Sequence, residues 1–148
     1  MTQGRFDVTV NAPVETVWSW VATLEKHVEW SPKPYRVEWV SGEPNQVGSR
    51  YRSEGSIPTK KHNVNEGEIT ERLEQQRFAL RADDEQGPFG NTYTLRPVDG
   101  RTEVVFEIVF PKMGFPKDQL AAVIFSTAGS ADIRKRMQLL KEKVEGSS

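Results

Sequence analysis

The side chains of this sequence whose types and spacing bear on chemistry are two histidines, three tyrosines, one asparagine and a few serines and glutamates. His27 and His62 are the only histidines. Imidazole normally titrates near neutrality, so they are the first candidates for proton transfer. His27 stands among Glu25, Lys26 and Glu29, which reads as a solvated helix position. His62 follows Lys60 and Lys61 and reads as an exposed loop or strand start. No metal-ligand spacing is recognisable in a chain with two distant histidines and no cysteine, so no metal is expected. Ser126 and Ser130 lie one helical turn apart without an adjacent base, and read as small residues that leave space rather than as nucleophiles. Glu66, Glu68 and Glu71 read as solvent-facing strand charges, with a cavity acid as the alternative. The catalytic residues are unassigned, and no cofactor is expected.

The aromatic and amide set points to binding instead. Tyr35, Tyr51 and Tyr93 fall on the inward phase of their segments, each offering a ring for apolar contact and a hydroxyl to orient a ligand. Asn91 shares the face of Tyr93, and a buried amide needs partners from the fold, a ligand or water. Ordinary core packing is the alternative for each ring. Trp30 and Phe106 would add wall, and Ser126 and Ser130 would bound the space, completing the candidate ligand-binding set.

The elements that must position these residues follow from periodicity. Phe6, Val8 and Val10 alternate with polar residues over Arg5 to Val10, the period of a strand with one buried face. After Ala12-Pro13 the period changes: Val14, Val17, Trp18, Val21 and Leu24 predict a helix over about Pro13 to Leu24, with a short second helix over Glu25 to Trp30. Two prolines, Pro32 and Pro34, then force a turn. From Tyr35 to Phe110 the pattern reads as six strands in an antiparallel meander. Their inward faces carry Tyr35, Val37 and Trp39; Tyr51; Phe78, Leu80 and Ala82; Asn91, Tyr93 and Leu95; and Val104, Phe106, Ile108 and Phe110. Within Lys60 to Leu73, Val64 and Ile69 are out of phase, which a bulge near Gly67 would explain. A helix is predicted over roughly Lys117 to Glu145, with an apolar stripe at Ile133, Met137, Leu140 and Val144. Small residues extend that stripe upstream. Either they leave a cavity beneath a straight helix, the preferred reading, or a kink at Gly129 turns Leu120, Val123 and Ile124 inward.

Taken in order, the first strand, APVETVW (Ala12 to Trp18), EWSP (Glu29 to Pro32), VGSRY (Val47 to Tyr51), YTLRPVDGRTEV (Tyr93 to Val104) and the final amphipathic helix resemble the polyketide cyclase/dehydrase and lipid transport branch of the START-like (SRPBCC, Bet v 1-like) superfamily. The resemblance spans nearly the whole chain. It implies a single α+β domain over residues 1–148 with the helix-grip fold: a curved antiparallel sheet of about seven strands, in the order β-α-α-β6-α, around a long C-terminal helix and an internal cavity. It carries over no universal catalytic motif, because the superfamily holds binders, cyclases and chaperone-activating proteins alike.

Composition narrows the partners. Lysine and arginine number 20 against 21 acidic residues, so no strong field attracts nucleic acid or an anionic membrane. No stretch approaches the roughly 20 apolar residues that span a bilayer, and membrane insertion is not expected. The absence of cysteine suits a cytoplasmic setting. The reading is of a monomer or homodimer that binds a small hydrophobic molecule, such as a lipid, polyketide or isoprenoid-like compound. A cyclase or dehydratase and a protein-interaction module using Leu120, Val123 and Ile124 are the alternatives.

Overall fold

A computed structural model describes residues 2–32, 35–57, 60–84, 87–110 and 130–147. In chain order these form β1 (Thr2–Val10), α1 (Val14–Val21), α2 (Leu24–His27), a 3-10 turn (Val28–Trp30), β2 (Arg36–Ser41), β3 (Arg50–Ile57), β4 (Lys60–Leu73), β5 (Arg77–Asp84), β6 (Gly87–Val98), β7 (Arg101–Phe110) and α3 (Ser130–Gly146). The seven strands make one sheet in the order β1-β7-β6-β5-β4-β3-β2, every pairing antiparallel. It is the expected meander, with the first strand returned to the far edge beside the last. Asp99 and Gly100 join β6 to β7 with φ of 50° and 79°, the left-handed pair that a two-residue hairpin demands and that an Asp-Gly sequence adopts readily.

One face of the sheet is covered by the helices, because alternate strand residues are apolar there. Ile69, Phe78, Leu80, Ala82, Tyr93, Leu95, Val104 and Phe106 are buried from the strands, and Val17, Trp18, Val21, Met137, Leu140 and Val144 meet them from above. The α3 helix is held against β1 at its polar margin as well: the Asn11 N–H donates to Glu145 Oε2 at 2.8 Å, and Lys141 Nζ donates to the Thr9 carbonyl at 3.0 Å.

Two local expectations are corrected. Helix one was expected to reach Leu24, but α1 stops at Val21 and Thr23 is extended (φ −120°, ψ 104°). The break is stabilised from far along the chain. Asn45 Oδ1, in the β2–β3 connection, accepts from the Leu24 N–H at 2.7 Å and so caps α2. Arg72 donates to the carbonyls of Ala22 (3.0 Å) and Asn45 (3.2 Å) and lies over the Trp18 ring, clamping both segments. The bulge in β4 lies at Thr70, where pairing with β5 shifts between Ile69 and Glu71, and not at Gly67, where pairing with β3 is regular. Val64 is out of phase with Ile69 because it stands on the other face, leaving Asn65, Gly67 and Ile69 inward.

The α3 stripe begins as predicted, but positions 111–129, and with them Gly129, Ser126, Leu120, Val123 and Ile124, lie outside the described residues. Among the described residues no helix is long and apolar enough to cross a membrane.

Candidate functional site

Register across the sheet assembles the floor of a cavity. Ile108, Asn91, Leu80 and Ile69 stand opposite one another on β7, β6, β5 and β4, and the row beside it runs Phe89, Ala82, Gly67, Tyr51 and Trp39. In the second row Gly67 has a specific use. A Cβ there would land 2.5 Å from the Tyr51 hydroxyl oxygen, so the missing side chain is what lets the ring lie flat across β4. Gly67→Ala is expected to displace the Tyr51 ring and cost about 1–3 kcal/mol, as overpacking of a closed site does. Urea denaturation and the near-ultraviolet dichroism of the aromatic rings measure both effects, and an unaltered ring environment would mean that Tyr51 lies elsewhere.

The roof comes from the short helical stretch and α3. Leu24, His27 and Trp30 are spaced by three and are all buried, a single inward face turned by α2 and the 3-10 turn. His27 is therefore not the solvated residue its charged neighbours suggested: it is 1% exposed, its ring 4.4 Å from that of Trp30 and 5.4 Å from that of Tyr93. Its Nε2 donates to the Val21 carbonyl at 2.7 Å, so the neutral ring keeps Nδ1 as an acceptor. Arg136, on α3, crosses above. Its guanidinium lies 4.9 Å from the Trp30 ring centroid and 5.8 Å from that of Tyr35, and it donates to the Tyr35 hydroxyl at 3.3 Å.

Between floor and roof is a cavity of about 170 Å³. Its described walls include Tyr35, Tyr51, Tyr93, Asn91, His27 and Arg136, with Leu24, Val37, Leu80 and Phe89 as apolar surface and Ser31, Ser53 and Asn65 as further polar groups. Of the predicted binding residues, Tyr35, Tyr51, Asn91 and Tyr93 are thus brought together on one wall surface. Trp30 and Phe106 stand one layer behind: Trp30 is fully buried beneath Arg136 and His27, and Phe106 packs 4.8 Å from the Tyr93 ring. Ser126 and the side chain of Ser130 lie outside the described residues, as does that of His62, which falls within β4. Glu68 and Glu71 pair with Arg50 and Arg77, and Glu66 is exposed, so none of the three faces the cavity. Among the described residues no cluster of three metal-ligating side chains occurs. A second concavity, between β1 and α3, is an open groove edged by exposed Arg5, Asp7, Arg134 and Gln138.

Sequence reasoning missed His27 and Arg136 as lining residues. The three-residue spacing of Leu24, His27 and Trp30 was the available signal for the first. For Arg136 it was position: three residues after Ile133 and four before Leu140, it lies at the margin of the apolar stripe.

The environment displaces the protonation equilibria of the wall. Burial, reinforced by the positive charge of Arg136, lowers the His27 pKa to about 3, the hydrogen bond to Val21 offsetting part of the drop. Burial pushes the Tyr93 phenol up to about 12 against the pull of Arg136, and raises Tyr35 and Tyr51 as well. At neutral pH the cavity therefore presents a neutral imidazole, neutral phenols and one permanent cation.

No curated protein matches the chain in sequence. Solved structures with the same fold include the Zhui aromatase/cyclase of a Streptomyces species (16% identity, 97% of this chain and 93% of that one, TM-score 0.80). A Rhodobacter sphaeroides protein (17% identity, 99% and 94%, TM-score 0.74) and a Thermus thermophilus protein (18% identity, 99% of both chains, TM-score 0.73) also share it. Identities this low speak for the fold alone. The family model described as polyketide cyclase/dehydrase and lipid transport matches residues 1–145, and with the helix-grip arrangement around the cavity it makes this chain a member of that family.

Proposed function

We propose that the protein binds a small organic molecule, mostly apolar in body, in the cavity between the concave sheet face and α3. The observation that carries this reading is unfilled space of about 170 Å³ whose wall includes Asn91, the Oδ1 of which is enclosed without a hydrogen-bond partner. Native proteins rarely leave a buried acceptor unmatched, and a ligand entering this partly open pocket would supply the missing donor. A dry cavity of roughly 150 Å³ accommodates benzene, so this space admits at least a single ring or a short branched chain. Affinity would come from apolar burial at about 25 cal/mol per Å², with Tyr35, Tyr93 and Asn91 fixing orientation.

Cyclase-type catalysis is the second reading, favoured by the aromatase/cyclase among the proteins of like fold. The titration behaviour of the wall weighs against it. A proton-transfer group works best with a pKa near the operating pH, whereas His27 and Tyr93 are driven away from neutrality in opposite directions.

Native mass spectrometry of gently purified protein, followed by titration with benzyl alcohol as a one-ring probe, tests the proposal. A co-purifying small molecule or saturable probe binding is expected. Tyr93→Phe and Asn91→Ala should each weaken that binding about five- to twentyfold while changing stability little. Failure of wild-type protein to bind either, or strong destabilisation by both variants with unchanged binding, would remove the cavity from consideration.

A further inference from the structure

Every described arginine except Arg72 and Arg136 is exposed to solvent. Arg72, also partly buried, has the Ala22 and Asn45 carbonyls, the Glu74 carboxylate and the Trp18 ring around it. Arg136 is different. Its Nε is enclosed with no partner, its hydrogen bond to Tyr35 is long at 3.3 Å, and among the described residues no carboxylate pairs with it. An unneutralised charge taken out of water costs stability, and an apolar side chain of similar length would fill the same place without that cost.

The way the guanidinium is held indicates what the charge is for. The Trp30 and Tyr35 rings lie 4.9 and 5.8 Å from the guanidinium carbon, the Tyr35 hydroxyl takes one of its N–H groups, and the residue lines the cavity. A guanidinium offers a planar fork of N–H donors that matches the two oxygens of a carboxylate. The Tyr35 hydroxyl, accepting from Arg136, keeps its own proton to donate to the same group. Among the described residues the neighbouring wall adds no opposing charge, since His27 and the three tyrosines are neutral at neutral pH.

We infer that Arg136 is an anion anchor and that the preferred ligand is a small organic acid, its carboxylate held by Arg136 and Tyr35 and its body, about one ring in size, lying over the sheet. The inference rests on the proposal that the cavity takes a ligand, and names that ligand's class.

Isothermal titration with two near-isosteric pairs, benzoate against benzamide and phenylacetate against phenylacetamide, tests it. Wild-type protein should bind each acid about ten- to a hundredfold more tightly than its amide, as a charge-assisted bidentate contact provides. In Arg136→Gln the preference should vanish with amide binding retained, and Arg136→Lys should keep part of it. Ligand-free Arg136→Met should melt above wild type, because the unpaired cation is gone; this separates loss of the anchor from loss of the fold. Equal binding of acid and amide by wild type would overturn the anchor while leaving the cavity reading intact. Binding of neither class would overturn both.

Discussion

Replacing Trp30 with alanine is expected to cost about 3–5 kcal/mol of folding stability, the range for removing a large aromatic from a closed core. The indole is fully buried at the junction of the helical stretch, β6 and α3, with the His27 ring on one side, the Tyr93 ring 5.9 Å away and the Arg136 guanidinium over its face. Its loss removes contact area and leaves a partly desolvated cation facing a void. Because the indole N–H has no hydrogen-bond partner, Trp30→Phe sacrifices volume without orphaning an acceptor and should cost roughly half as much. Guanidinium denaturation of the two variants measures this. An alanine cost below about 1 kcal/mol would mean that the ring is not the support on which Arg136 and His27 rest.

The second large effect is acid sensitivity. Unfolded, His27 takes up a proton near its ordinary value of 6.5; folded, it does so only at about 3. Between those values the unfolded chain binds more protons, so stability falls as pH falls, at up to about 1.4 kcal/mol per unit. Above pH 7 the effect is absent, and below about pH 3 the loss is complete. From pH 6.5 to 4.5 this one group should remove about 2–3 kcal/mol. His27→Gln, which can still donate to the Val21 carbonyl, should be flatter across that window. The difference between the two stability profiles isolates the imidazole from carboxylates such as Glu145, whose pKa is lowered by its hydrogen bonds to Lys141 and to the Asn11 backbone. Parallel profiles would show a histidine that titrates normally, and hence one that is not enclosed.

Most of the fold was legible because strands with one covered face write their period into the sequence. Phe78, Leu80 and Ala82, or Asn91, Tyr93 and Leu95, can be placed on a common face without knowing what covers it. What could not be read depends on side chains that act across long separations. Nothing near Ala22 or Thr23 announces that the helix breaks there, since the partners that satisfy the break, Asn45 and Arg72, belong to other elements. The glycine at 67 was misread for a related reason: its value lies in the ring of Tyr51 on the adjacent strand, and periodicity along β4 does not contain it. The binding wall was half legible. Tyr51, Tyr93 and Asn91 sit on strands whose phase is clear, and Tyr35 immediately precedes one, whereas His27 and Arg136 are polar residues among charged neighbours, where composition argues for solvent and only spacing argues for burial.

The route of the sheet also governs the order in which it can form. From β2 to β7 each strand pairs with its successor, but Thr2 of β1 pairs with Phe110 and Val10 with Thr102. Chain closure over that separation is entropically expensive and slow, so the opening strand has no seat until nearly the entire meander has been synthesised. During translation Phe6 and Val8 wait without their β7 partner, and the nascent chain is most exposed to wrong pairing in that interval.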